Sequence, residues 1–165
     1  MAGECGTMPS TKVCTKRGNM TSIKIGQPSD LDIIIGLLHD YDFDIDQIND
    51  KSDIFELVTI IPGTAKIIGK FLIFKLFEIQ ERESILKICH VKSCKIIDTQ
   101  KIGWYGFNTI TFNPDTCSFT ILAEPMATIT IDVKSFDVSL QITDKIAGHK
   151  KRWGIFSPLN TVSND

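Results

Sequence analysis

Between residues 107 and 142, apolar and polar residues alternate in two-residue steps through four short segments separated by turns. Successive side chains of a strand point to opposite faces, so this spacing belongs to half-buried antiparallel strands and not to helices. The segment 107–112 ends at Asn113-Pro114-Asp115-Thr116. There proline presets one dihedral and the Asn and Asp side chains can bond their own backbone, which predicts a hairpin into 117–123. After Glu124-Pro125, Ile129, Ile131 and Val133 alternate with Thr128, Thr130 and Asp132, and Phe136, Val138, Leu140 and Ile142 alternate with Asp137, Ser139 and Gln141. No chemical signature in the chain matches this pattern in force.

Upstream, Ser29-Asp30-Leu31-Asp32 offers a helix start, and Leu31, Ile34, Leu37 and Leu38 then recur at helical spacing, so one amphipathic helix is predicted over 30–39. Gly36 inside it costs on the order of 1 kcal/mol against alanine, which leaves packing to stabilise the helix. From Asp40 the period changes: Tyr41, Phe43 and Ile45 alternate with Asp40, Asp42, Asp44 and Asp46, as in a strand. Further strands are expected over 55–61, stopped by Pro62-Gly63, over 70–79, where a helix is the alternative, and over 85–98, with a bulge near Ser93. Gly103-Trp104-Tyr105-Gly106 reads as a loop. Seven or eight strands at this spacing predict a mainly β fold, an antiparallel sandwich or partly open barrel with one short N-terminal helix.

A chain of 165 residues is expected to form one domain, here over 23–148. Residues 1–22 are poor in large apolar groups and read as a disordered tail, with Met20 an alternative start; 149–165 reads as a flexible basic tail. The net charge of -2 gives no global basic field for nucleic acid. No apolar run reaches the roughly 18 residues of a membrane span. The N-terminal residues lack a secretory core, so cytoplasmic residence is the default. Five cysteines, Cys5, Cys14, Cys89, Cys94 and Cys117, show no paired framework and read as reduced thiols.

Asp40, Asp42, Asp44 and Asp46, with His39 beside them, supply the oxygen ligands that calcium or magnesium prefers. The glycine and glutamate positions of an EF-hand loop are not met, and the alternative is a solvated strand face that repels edge pairing. Cys89-His90 and Cys94 lack the second short-spaced pair of a structural zinc site. No nucleophile elbow, phosphate loop or dinucleotide fingerprint is present, so no catalytic residue and no cofactor is expected. Trp104 and Tyr105 between two glycines can present rings to a partner, or can fold over the end of the sandwich. Lys145, His149, Lys150, Lys151 and Arg152 with Trp153 can touch nucleic acid or an anionic membrane, can pair with the acidic stretch 30–56, or can simply be solvated.

The segments 38–45, Leu38-His39-Asp40-Tyr41-Asp42-Phe43-Asp44-Ile45, and 102–110, Ile102-Gly103-Trp104-Tyr105-Gly106-Phe107-Asn108-Thr109-Ile110, together with Phe136-Asp137-Val138, resemble a group of small uncharacterised bacterial proteins, a domain of unknown function. The resemblance spans about 29–141 and implies a bacterial cytoplasmic domain without a known activity. Taken together, the residues predict a non-enzymatic domain that binds a protein partner or a second copy of itself. The alternatives are a divalent-metal enzyme or metal-binding protein using strand 40–46, and a nucleic-acid or anionic-membrane adaptor using the basic C-terminal stretch.

Overall fold

The computed structural model describes residues 14–17, 20–50 and 53–155. Ten strands of these residues form one antiparallel sheet: β1 Cys14–Arg17, β2 Met20–Ile25, β3 Asp42–Asp44, β4 Ile54–Phe71, β5 Phe74–Cys89, β6 Val91–Asp98, β7 Trp104–Asn113, β8 Ser118–Glu124, β9 Ala127–Val133 and β10 Val138–Gly154. Across the sheet they run β1-β2-β10-β5-β4-β3-β7-β8-β9-β6. The terminal strands β1 and β6 do not pair with each other, so the sheet curls without closing. The mainly β, partly open architecture and the single short helix are as the alternation predicts, and the strands outnumber the seven or eight expected.

β5 and β6 are one run of chain interrupted at His90, which takes a left-handed φ of 61°. Before His90 the strand lies between β4 and β10; after it, the chain pairs with β9 at the far end of the sheet. The step Val91/Ser93 carries the bulge that the sequence predicts near Ser93. A single stretch thus ties the middle of the sheet to its edge, and the β7–β9 half folds over the β4–β5–β10 half. The shared core draws on both, with Phe55, Leu57, Leu86, Ile88, Val138 and Leu140 from one and Phe107, Phe119, Ile121, Ile129, Ile131 and Val133 from the other. Buried Thr59 and Ser84 are satisfied, as Thr59 Oγ1 donates to the Asp42 carbonyl at 3.0 Å and Ser84 Oγ to the Thr59 carbonyl at 3.4 Å.

The helix α1, Leu31–Leu38, buries Leu31, Ile34 and Leu38 against this core. It ends where Asp40 turns, at φ 68°, and donates its backbone N–H to the Phe107 carbonyl. The β7–β8 hairpin forms at the predicted turn, where the Asp115 N–H donates to Asn113 Oδ1 at 3.0 Å.

Five expectations are corrected. Strand 40–46 shrinks to Asp42–Asp44, because the Asp44 carboxylate accepts from the Asp46 N–H at 3.0 Å and from Gln47 Nε2 at 2.9 Å and closes a 3-10 turn over Ile45–Gln47. Trp104 and Tyr105 begin β7 and are not a loop. Of the expected N-terminal tail, Cys14–Arg17 and the start of β2 are strand; of the expected basic tail, His149 through Gly154 continue β10. Apart from Ile155, which follows β10, the remaining residues of both segments lie outside those described. Pro62-Gly63 does not end β4: the register slips between Pro62 and Ala65, and the strand continues to Phe71. Proline lacks the ladder N–H, but a bulge on a free strand edge accommodates it.

That continuation produces the feature that sets this fold apart. Among the described residues, β4, β5 and β10 pair only with one another beyond Ile61, Arg82 and Ile142, since β3 meets β4 at Thr59 and β2 meets β10 through Ile142. The three outer halves form a ribbon, the arm, about 30 Å long at roughly 3.3 Å per residue over 62–71. Its base holds a small second core of Ala65, Phe77 and Ile79 with Ile67 against it. Arg152 and Lys150 stand opposite Phe77 and Ile79 on the neighbouring strand, where their stems can lie along the apolar surface.

Candidate functional site

The far end of the arm is made of Phe71-Leu72-Ile73-Phe74, with Phe71 paired to Phe74 across a two-residue turn. Along β5 the alternation puts Phe74, Leu76 and Glu78 on one face and Lys75, Phe77 and Ile79 on the other. Trp153 of β10 stands opposite Leu76, so it joins the face of Phe74. Phe71, Phe74, Trp153 and Lys70 line an open groove of about 450 Å³. Leu72 is 86% exposed, Phe71 67%, Ile73 66% and Trp153 55%, and Ile155 is exposed just beyond. Leu72 also sits at φ 53°, a left-handed conformation in which a branched side chain is strained and glycine or asparagine is at ease. Large apolar side chains held in water at a strained turn cost stability, and packing among the described residues does not offset that cost.

Charge surrounds the tip on its inner side. Lys70 faces Lys75 directly behind the turn, and Lys66, Lys150, Lys151 and Arg152 follow along the arm. Of the chain's 18 Lys and Arg and 20 Asp and Glu, residues 66–78 and 149–155 hold six and one, which leaves 12 bases against 19 acids elsewhere. Among the described residues, no ion pair uses any of those six cations. At the root of the arm, by contrast, charges are matched: Lys145 Nζ lies 2.6 Å from Glu83 and Arg82 3.7 Å from Asp144.

The four aspartates are not brought together as one ligand set. Asp40 pairs with His39 at 3.0 Å on the surface, Asp46 lies in the 3-10 turn, and only Asp42 and Asp44 remain on the strand. Those two line a groove of about 280 Å³ with Gln47, Glu83, Trp104 and Lys145. Three of its charges already have partners, since the Asp44 oxygens hold Asp46 N and Gln47 Nε2 while Glu83 holds Lys145. No group of three or more His, Cys, Asp or Glu side chains among the described residues is placed to hold a metal ion.

The aromatic pair separates. Trp104 is 53% exposed, whereas Tyr105 is 1% exposed beside Phe43 and reaches Asp98 with its hydroxyl. That bond, helped by the Lys101 and Gln100 backbone N–H groups, holds the Asp98 carboxyl below its ordinary value, while burial and then the bond to Asp98 push the Tyr105 hydroxyl up. Tyr105 is therefore structural. Lys150, Lys151, Arg152 and Trp153 are brought together with the tip on a strand, not on a tail.

Around the β5–β6 junction, His90 lies 3.6 Å from Asp53 and 3.8 Å from Asp137, while Lys134 and Lys24 stand 3.1 and 3.3 Å from the same two carboxylates. The hydrogen bond from Lys134, and then the nearby charges of Lys134 and His90, hold the Asp53 carboxyl below its usual value. This network fixes the kink at His90. Burial raises the Cys89 thiol, and raises Cys94 to about 11, which suppresses the thiolate a nucleophile needs. Cys117 is disulfide-bonded, so the expectation of reduced thiols fails at that residue.

Residues 71–75 were not singled out by reading for chemistry. The available signal was four consecutive large apolar residues bracketed by Lys70 and Lys75, a run that breaks the two-residue period and so has no single inward face. No helix of the described residues is long and apolar enough to cross a membrane. Compared with known proteins, the chain matches no protein-family model, no curated protein and no solved structure.

Proposed function

We propose that this protein is a non-catalytic binding module whose contact element is the tip of the three-stranded arm. The carrying observation is the exposure of Phe71, Leu72, Ile73 and Trp153 at the end of a ribbon anchored in the sheet by the inner halves of the same strands. An anchored ribbon presents its apolar end without an ordering cost on binding, which favours association. The paired carboxylates near Trp104 and the raised thiols favour no hydrolytic or nucleophilic reading. Hydrophobic-interaction chromatography beside solution mass tests the reading: wild type is retained later than Leu72→Ser/Ile73→Ser, and equal retention with equal mass removes it.

Self-association is a second reading, and the terminal strand β6 favours it. Among the described residues its outer edge has no strand partner, and Ile96 and Ile97 are exposed on it. Lys92 and Lys95 on the same strand oppose such pairing. A single monomeric species at tens of micromolar would dismiss a dimer built on that edge. Cytoplasmic residence in a bacterium is carried forward as a proposal from the resemblance alone; the bonded Cys117 weighs against a reducing compartment.

A further inference from the structure

We infer that the arm docks on the surface of an anionic lipid bilayer, a partner that rests on the binding reading above and gives it a chemistry. Three observations converge on this occupant.

The first is the order of groups along the arm. Leu72 and Ile73 lead, Phe71 and Phe74 follow, Lys70 and Lys75 come about 7 Å behind the turn at two residues of strand, and Trp153, opposite Leu76, stands one residue further back. An amphipathic element at a bilayer interface inserts its apolar part about 5–10 Å and leaves its cations among the phosphates. Insertion at that depth is also where it must stop, because the turn's backbone groups have no partners in hydrocarbon. An indole at the level of Trp153 matches the interfacial preference of tryptophan.

The second is the charge. Among the described residues, six cations without ion pairs lie along the arm, Lys70 and Lys75 directly behind the turn and Lys66, Lys150, Lys151 and Arg152 further back, while the rest of the chain carries the excess of acid. This separation orients the arm toward an anionic surface and the body away from it. It also argues against a second copy at the tip, because tip-to-tip contact would set Lys70 and Lys75 of one copy against those of the other. A nucleic acid fits less well, since Leu72 and Ile73 would meet the phosphates before any cation did.

The third is Leu72 itself. A hairpin turn of positive φ is where glycine or asparagine would be stable and soluble, and this chain places its most exposed large apolar side chain there. The cost is recovered when that side chain leaves water.

Co-sedimentation with phosphatidylcholine vesicles, with and without phosphatidylserine, tests the inference on the full chain. Wild type is expected to sediment with the anionic vesicles, to be released by high salt, and to ignore the zwitterionic ones. Lys70→Gln/Lys75→Gln should partition about 25-fold less, at about fivefold per cation, and Leu72→Asp/Ile73→Asp should stay in the supernatant. Leu72→Ser, at a fully exposed position, gives an intermediate loss and guards against a double variant that does not fold. In a Trp104→Phe background, Trp153 emission should shift to the blue on anionic vesicles. Absence of wild-type sedimentation, or equal sedimentation of the tip variants, overturns the inference. So does retention on RNA or DNA that the lysine variant loses and the tip variants keep. If vesicles fail but wild type forms a dimer that Leu72→Asp/Ile73→Asp dissolves, the arm remains the contact element with a protein partner. A monomer with no tip-dependent association ends both readings.

Discussion

The inner and outer halves of β4, β5 and β10 are the same three strands under two sets of conditions. In the inner halves Phe55, Leu57, Leu86, Ile88, Val138 and Leu140 alternate with half-exposed neighbours and meet a second layer, the β7–β9 half of the sheet. In the outer halves no second layer is present among the described residues, and apolar groups crowd without alternation toward the turn. Alternation is the mark of a strand with one covered face, and a run of apolar residues flanked by lysines is the mark of one whose cover comes from elsewhere. Backbone pairing resumes beyond the register shifts at Pro62/Ala65 and Ile142/Ile146 and runs to the turn, so the ladder is indifferent to whether a face is covered, and the side chains are not.

Substitutions can break this comparison. The largest effect is expected at Phe119→Ala, which opens a cavity between the two layers and should cost about 3–5 kcal/mol in denaturant unfolding. A loss close to zero would mean that the halves do not share one core. Phe77→Ala in the arm's small core should instead accelerate hydrogen exchange across 65–79 while moving global stability much less, because local opening need not unfold the body. Equal global losses at Phe77 and Phe119 would show that arm and body unfold together.

The β5–β6 junction sharpens the picture through pH. The Asp53 carboxyl is held below its ordinary value, so its contribution is present above the unfolded value, 3.8, and is lost as pH falls through the lower folded value. Asp53→Asn should flatten the acid limb of the stability profile and leave the profile near neutrality with a parallel slope. An unchanged acid limb would remove the junction from the forces that hold the kink. The smallest effect is expected at Leu72→Ser, within about 0.5 kcal/mol of wild type, as for an exposed site with no structural duty. A loss of several times that would make the tip a packing element and withdraw its role as a contact.

Reading the chain for pattern located most strands, the helix, the Asn113–Thr116 turn and the bulge near Ser93. It failed where the deciding contact is remote. Pro62-Gly63 is a stop signal only if the strand has partners on both sides; here one side is open and the bulge passes. Lys150, Lys151 and Arg152 look like a solvated tail until the outer edge of β5 is seen to need a partner, which they supply in register with Ile79, Glu78 and Phe77. Asp44 was read as one tooth of an alternating strand, whereas its side chain competes for the backbone two residues on and ends the strand. Of the candidate site, Lys150, Lys151, Arg152 and Trp153 were legible as a basic cluster with an indole. Their place beside Phe71, Leu72, Ile73 and Phe74, some 80 residues away in sequence, was not.

What the amino-acid order determined unaided is a preference for pleated strands with one apolar face, since the two-residue period follows from bond geometry alone. Tertiary structure decided which of those faces would find a lid. That outcome depends on how far β4, β5 and β10 outrun the layer folded across them, a matter of length matching between distant segments that no local periodicity records.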